Sequence, residues 1–318
     1  MDKALFIVSS PFQALCASEA ISHYDVEEPY FMTVNDPVVI EKTVPICKKY
    51  GETHILRQEG KGTVGLFKAL VKGDLNERFD NVFLGDYYSY GQYIIALYMS
   101  NRRANFIYLD DGNSTLLIAP PISLERGRTS REKKYNKVWD AWANLKHVKK
   151  RLFTIFDINE GCPMPVEKNT FSSLLPRDTK TAGVFVIGTN TDLMEFKNVS
   201  YADKLSQIAL YIKRNAPDED VYYCPHRRDS HDYSTKIELL GWYLFDTQYN
   251  VEIDFVQKNL YPRMVLGFGS TALLTLKKIF PSSDVKTIYM DLELESTNKE
   301  YRSIESYYMM NGIEVVHI

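Results

Sequence analysis

Short apolar runs, each stopping at small or polar residues and followed by residues at helical spacing, recur along the whole chain, and no other feature constrains the fold as much. The first run covers residues 4–8 and stops at Ser9, Ser10 and Pro11, after which Phe12, Leu15, Cys16 and Ala20 repeat at helical spacing. Pro11 suits a first helical position, where its fixed φ and missing N–H cost nothing. Further strands are expected at residues 30–34, 54–56, 81–84 and 105–109, with helices at 37–50, 64–72 and 88–100. A second series predicts strands at 183–187, 221–224, 250–255, 264–268, 286–290 and 313–317, with helices at 201–214, 235–245, 271–280 and 299–309. Such alternation implies parallel sheets covered on both faces. The class is α/β, two doubly wound domains facing a central cleft, and ligands bind such sheets at the carboxyl ends of their strands. The domains are expected at 1–160 and 181–318, joined by a turn-rich linker at 161–180.

At 318 residues and 45% hydrophobic, the chain is long enough for two cores. A net charge of -3 argues against a dedicated nucleic-acid binder, which needs a strong basic excess. Cys16, Cys47, Cys162 and Cys224 show neither metal-ligand spacing nor a disulfide framework, so a reducing cytoplasm is the expected home. The first apolar run is too short for a signal peptide, and no run reaches the length of a membrane span. A basic stretch runs through Arg126, Arg128, Arg131, Lys133, Lys134, Lys137, Lys146, Lys149, Lys150 and Arg151. It reads either as a solvated face or as a contact with anionic lipid or glycan, which makes peripheral association with the inner membrane face an expectation.

Three constellations carry chemistry. Asp110 and Asp111 follow an apolar strand and precede Gly112, Asn113 and Ser114. A carboxylate at that edge can take a proton from an incoming hydroxyl, although the pair also fits a turn in which one aspartate caps backbone amides. Adjacent side chains on an extended chain point oppositely, so one of the two is expected to meet substrate. Pro225, His226, Arg227 and Arg228 again end a strand. Histidine can protonate a departing phosphate and arginine matches its geometry, yet a histidine in a turn is often structural. Gly267, Gly269, Ser270 and Thr271 open an apolar helix, whose free N–H groups suit a phosphate or need only a plain cap. Gly188, Thr189 and Asn190 end the first strand of the second half, as Ser10, Pro11 and Gln13 follow the first strand of the first. Tyr87, Tyr88 and Tyr90 could stack on a sugar or simply pack. No D-x-D motif stands in a convincing context, so phosphate charge is expected to be met by side chains and amides, with no metal or other cofactor.

With Asp110-Asp111-Gly112, then His226, then Ser270-Thr271, and an opening Ser10-Pro11-Phe12-Gln13, the chain resembles the bacterial sialyltransferases of glycosyltransferase family 52 and the capsular polysialyltransferases. The likeness spans nearly the whole chain in motif order, with motifs of two to four residues. One departure is Arg227, where those enzymes place proline after the histidine; here Pro225 precedes it. The resemblance implies a GT-B fold of two Rossmann-like domains and an inverting, metal-independent transfer of sialic acid from CMP-Neu5Ac to a terminal galactose of a capsule, O-antigen or lipooligosaccharide. It implies Asp111 as general base, Asp110 as a supporting carboxylate, and His226 as acid or phosphate partner of the departing CMP. Ser270 and Thr271 would hold the phosphate, with Gly188, Thr189, Asn190, Arg227 and Gly269 around the donor and Asp254 toward its ribose. Ser10, Pro11, Gln13 and Asn113 would border the acceptor. A homodimer is compatible with all of this. The rival readings are a related transferase using CMP-Kdo or a UDP-hexose, and a non-catalytic nucleotide- or glycan-binding protein.

Overall fold

A computed structural model of the chain describes residues 1–34, 36–56, 62–73, 75–118, 141–158, 161–174, 180–191, 196, 199–226, 231–292 and 295–318. The chain divides into two compact units, Met1–Ser173 and Leu174–Ile318.

The first unit is built on a seven-stranded sheet. Its strands are β1 (Lys3–Ile7), β2 (Glu28–Val34), β3 (Glu52–Leu56), β4 (Phe79–Leu84), β5 (Ser100–Tyr108), β6 (Lys149–Thr154) and β7 (Val166–Lys168), in spatial order β3-β2-β1-β4-β5-β6-β7. All neighbouring pairs are parallel. The centre is aromatic: Phe6 of β1 stacks on Phe31 at 5.2 Å and on Phe83 at 4.4 Å. β1 is a near-continuous apolar run because, as a central parallel strand, it is covered on both faces. Helices α1 (Pro11–His23), α2 (Pro37–Lys42), α3 (Val44–Cys47), α4 (Gly62–Lys72) and α5 (Tyr90–Met99) connect the strands. Ser10 caps α1 by accepting from the Gln13 N–H at 3.2 Å, and Pro11 takes the first position.

The second unit repeats the plan with β8 (Lys180–Ile187), β9 (Val221–Cys224), β10 (Tyr243–Leu244), β11 (Leu260–Gly267), β12 (Asp284–Ile288) and β13 (Glu314–Val316), ordered β10-β9-β8-β11-β12-β13 and again parallel throughout. Its helices are α6 (Tyr201–Asn215), α7 (Ser234–Leu239), α8 (Val251–Gln257), α9 (Thr271–Ile279) and α10 (Glu295–Met310). Two mostly parallel sheets, each flanked by helices, make this a pair of Rossmann-like domains of the GT-B type.

Several expectations need correction. Residues 250–255 form not a strand but the start of α8, capped by Asn250, whose side chain accepts from the Ile253 N–H at 3.1 Å. The expected helix at 37–50 is two pieces, α2 and α3, because Pro45 lacks the N–H that would continue the ladder. The expected helix at 235–245 stops at Leu239 and gives way to β10. Within the basic stretch, Lys149–Thr154 is strand β6, and Lys146 turns inward to donate to the Leu97 and Ser100 carbonyls. Arg151 pairs with Glu167 at 2.8 Å. Arg126, Arg128, Arg131, Lys133, Lys134 and Lys137 lie outside the described residues. Strand β7 falls within 161–180, read from sequence as linker.

Candidate functional site

Each sheet reverses its winding direction once, between β1 and β4 in the first unit and between β8 and β11 in the second. At such switch points the loops leaving neighbouring strands part, and open α/β sheets bind ligands there. The described candidate residues, Asp254 apart, lie on loops and helix starts at or beside these two places, one set in each unit.

In the first unit the loops after β1, β4 and β5 meet. Asp110 is 0% exposed; one carboxylate oxygen accepts from the Thr154 hydroxyl at 2.5 Å and the other from the Ile155 N–H at 2.8 Å. It therefore ties the end of β5 to the end of β6. Burial pushes its pKa up to about 7, against the opposing hydrogen bonds from Thr154 and Ile155. Asp111 points the other way and is half-buried. Its Oδ1 accepts from Gln13 Nε2 at 2.7 Å, and its Oδ2 lies 3.3 Å from Ser114 Oγ. The backbone N–H of Asp111 donates to Thr115 Oγ1 at 3.1 Å. One carboxylate is thus enclosed and structural, while its neighbour keeps an accessible face. Asn113 sits half-buried beside them, and Ser10 and Pro11 are buried in the start of α1.

In the second unit, Gly188, Thr189 and Asn190 follow β8, and Gly188 N–H donates to the Cys224 carbonyl at 2.8 Å, drawing this loop against the end of β9. A Cβ on Gly188 would lie 2.7 Å from Tyr223 Oη, 3.0 Å from the Cys224 carbonyl and 3.1 Å from His226 N. Only glycine permits this approach, so Gly188→Ala is expected to destabilise the protein by about 1–3 kcal/mol, read as a lowered midpoint in thermal or denaturant unfolding. His226 is half-buried at the turn after β9. Arg227 lies outside the described residues. His231 sets its Nδ1 3.1 Å from Thr191 Oγ1, which in turn lies 3.1 Å from Tyr233 Oη. The loops after β8 and β9 are thereby joined twice.

Beyond β11, the Gly269 N–H donates to Thr287 Oγ1 at 3.1 Å, and Ser270 caps α9 by accepting from the Ala272 N–H at 3.3 Å. Thr271 is the first residue of α9 and half-buried. Asp254 is not at a strand end: it lies in the first turn of α8, 1% exposed, its carboxylate accepting from the Tyr249 N–H at 3.3 Å. Burial, and then the Asp254 carboxylate, raise the Cys224 thiol above its ordinary range. Among the described residues no group of three or more His, Cys, Asp or Glu is arranged to hold a metal ion, and no helix is long and apolar enough to cross a membrane.

Sequence reasoning missed Gln92, Thr154 and Thr287, each buried and each holding a candidate residue or its loop. A usable signal existed for Gln92: a lone amide early in an otherwise apolar helix has to find partners when buried.

No family model matches the chain, and no curated protein matches its sequence. Solved structures do match in fold. Over 99% of its length the chain is similar to an α/β-galactoside α-2,3-sialyltransferase from Photobacterium phosphoreum, at 10% identity and a TM-score of 0.59, covering 98% of that chain. A 2,6-sialyltransferase from Photobacterium sp. JT-ISH-224, solved with CMP and lactose, matches 99% of this chain and 78% of its own at 10% identity and a TM-score of 0.54. MurG from Acinetobacter baumannii matches 100% of this chain and 86% of its own at 7% identity and a TM-score of 0.51. At such identities the likeness establishes the GT-B fold.

Proposed function

We propose that the chain is an inverting glycosyltransferase that moves sialic acid from CMP-Neu5Ac to a terminal galactose of a bacterial surface glycan without a metal ion. The observation that carries this reading is Asp111, a half-buried carboxylate held by Gln13 at the switch point of the first sheet while Asp110 beside it is enclosed. In the reaction, Asp111 takes the proton of the galactose hydroxyl as its oxygen bonds to the anomeric carbon. The bond from that carbon to the phosphate oxygen breaks, and CMP leaves with the electron pair. Attack on the face opposite the leaving group turns a β-linked donor into an α-sialoside. His226 meets the departing phosphate, with Ser270, Thr271 and the N–H groups at the start of α9, and Arg227, Gly188, Thr189, Asn190 and Gly269 surround the donor. Charge develops on that phosphate as the anomeric carbon gains oxocarbenium character, so donors aimed there lower the barrier. Asn113, with the loop at Ser10 and Pro11, borders the acceptor, and Asp254 supports the donor domain from within α8. A cytoplasmic enzyme, in peripheral contact with the inner membrane face through the basic stretch from Arg126 to Arg151, completes the reading.

Support comes from the motif order and from a fold shared with two sialyltransferases. The test is a donor screen in EDTA with lactose as acceptor, scored by nucleotide release and product mass. Release of CMP with a sialyllactose product is expected from CMP-Neu5Ac. Silence with CMP-Neu5Ac and turnover of CMP-Kdo or a UDP-hexose would move the donor assignment, and binding without turnover of any donor would make the chain a non-catalytic binder.

A further inference from the structure

We propose that Gln13 is a positioning residue that sets the Asp111 carboxylate through an amide locked in one orientation, a role that rests on Asp111 being the base. A glutamine amide has a donating end and an accepting end, and turned over it would present its oxygen to the carboxylate and repel it. Here the accepting end is occupied on several sides. Gln13 Oε1 accepts from the Ser9 N–H at 2.7 Å, from the Ser9 hydroxyl at 3.1 Å and from Gln92 Nε2 at 3.1 Å. The remaining end, Nε2, is the one that reaches Asp111 Oδ1 at 2.7 Å.

Gln92 is oriented in the same way. Its Oε1 accepts from the Asp86 N–H at 2.9 Å, which leaves Nε2 to donate to Ser9 Oγ at 3.1 Å as well as to Gln13. The chain of amides therefore has one internally consistent direction, from the Asp86 N–H to the Asp111 carboxylate. Gln13 is 2% exposed and Gln92 4%. A buried amide turned the wrong way would leave donors and acceptors facing their own kind, each group losing its partner with no water to replace it. Gly85 leaves room for this seat: a Cβ there would stand 2.3 Å from Gln13 Oε1, so the amide packs against the backbone of the β4 loop. The loops after β1 and β4 thus fix the residue that fixes Asp111. At this burial Gln13 works through Asp111 and not by touching the sugar.

Positioning and acceptor binding differ in kinetics. Steady-state rates are measured with lactose and the donor that turns over in the EDTA screen, CMP-Neu5Ac first. Gln13→Met is expected to lower kcat by about 10–100-fold with the lactose KM within about twofold of wild type, because a misplaced base slows the chemical step without weakening the ground-state complex. Gln92→Met, one hydrogen bond further out, is expected to lower kcat by about 3–10-fold in the same pattern, and it carries the test if Gln13→Met does not fold. In an Asp111→Asn background Gln13→Met is expected to add no further loss, since the two act as one unit. Independently of turnover, the Gln13 Nε2 proton facing Asp111 is expected downfield in spectra labelled at glutamine side-chain nitrogen, moving upfield in Asp111→Asn. A raised lactose KM at unchanged kcat, or losses that simply add in the double variant, would overturn the positioning role while leaving Asp111 as the base. An Asp111→Asn variant with wild-type rate would overturn the base assignment itself, and this proposal with it.

Discussion

Asp111→Asn is expected to lower the rate of sugar transfer by about 10²–10⁴-fold while the protein remains folded, with a melting temperature close to that of wild type. Asparagine keeps the size of the side chain and an oxygen that can accept from Gln13 Nε2, which reaches Asp111 at 2.7 Å, so the packing around the loop has no reason to change. What the substitution removes, on the proposed reading, is the capacity to accept a proton from the acceptor hydroxyl. The loss is expected in kcat, since on the proposed reading the nucleotide is held by residues of the second unit. Initial rates of nucleotide release at saturating donor and lactose, alongside circular dichroism melting, separate the two quantities. A variant that folds and turns over at the wild-type rate would falsify the assignment of Asp111 as the base.

The second large effect is on stability, and it belongs to the other aspartate. Because burial holds the Asp110 carboxyl near 7, the folded state favours its protonated form far more than the unfolded chain does. The stabilisation this provides is fully present below the ordinary carboxyl pKa and is lost as pH rises through about 7. Converted at about 1.4 kcal/mol per tenfold change in proton affinity, the contribution is on the order of 4 kcal/mol, or roughly 10 °C in melting temperature for a domain of this size. Glu19 and Glu305 act with the same sign, since burial raises both, so the whole protein is expected to be more stable near pH 5 than near pH 8. Asp110→Asn cannot ionise and should remove the largest part of that slope. Thermal melts of the two proteins between pH 4 and pH 8 give the comparison, and parallel curves would mean that Asp110 does not set the dependence.

How much could be read from the residues differs between strands and polar contacts. Central strands such as β1, β8 and β11 announce themselves as apolar runs because parallel strands covered on both faces have no polar side. α8 resembles a strand in sequence for a specific reason: Val251, Ile253 and Phe255 alternate with Glu252 and Asp254, which imitates a strand with one wet face. In the folded protein all five are buried, with Glu252 accepting from Thr275 Oγ1 at 2.6 Å and Asp254 from the Tyr249 N–H. The periodicity assumed that carboxylates face water, and here tertiary partners take that place. β6 and β7 are hidden by composition: β6, next to the sheet's edge, is half-charged, and β7, the edge strand, is only Val166–Lys168, since an edge strand needs little apolar surface. At the candidate site, the positions of Asp110 and Asp111 at a strand end were readable, but the division between them depends on Thr154 and Gln13, which come from distant parts of the chain.

Every described strand pairing in the protein is parallel, so no two neighbours can be zipped together by a hairpin turn. The pair at each switch point closes one of the longest loops in its unit: Ala4 lies opposite Asn81, and Val184 opposite Met264. Pairings of such sequence separation pay their loop entropy before any contact rewards it, which places them late on the folding pathway and makes each unit slow to mature. The seam between β1 and β4 is also where Gln13, Gln92 and Asp111 converge, so on a ribosome the candidate site of the first unit comes together only after the chain has emerged beyond Asp111, long after its first helix is complete.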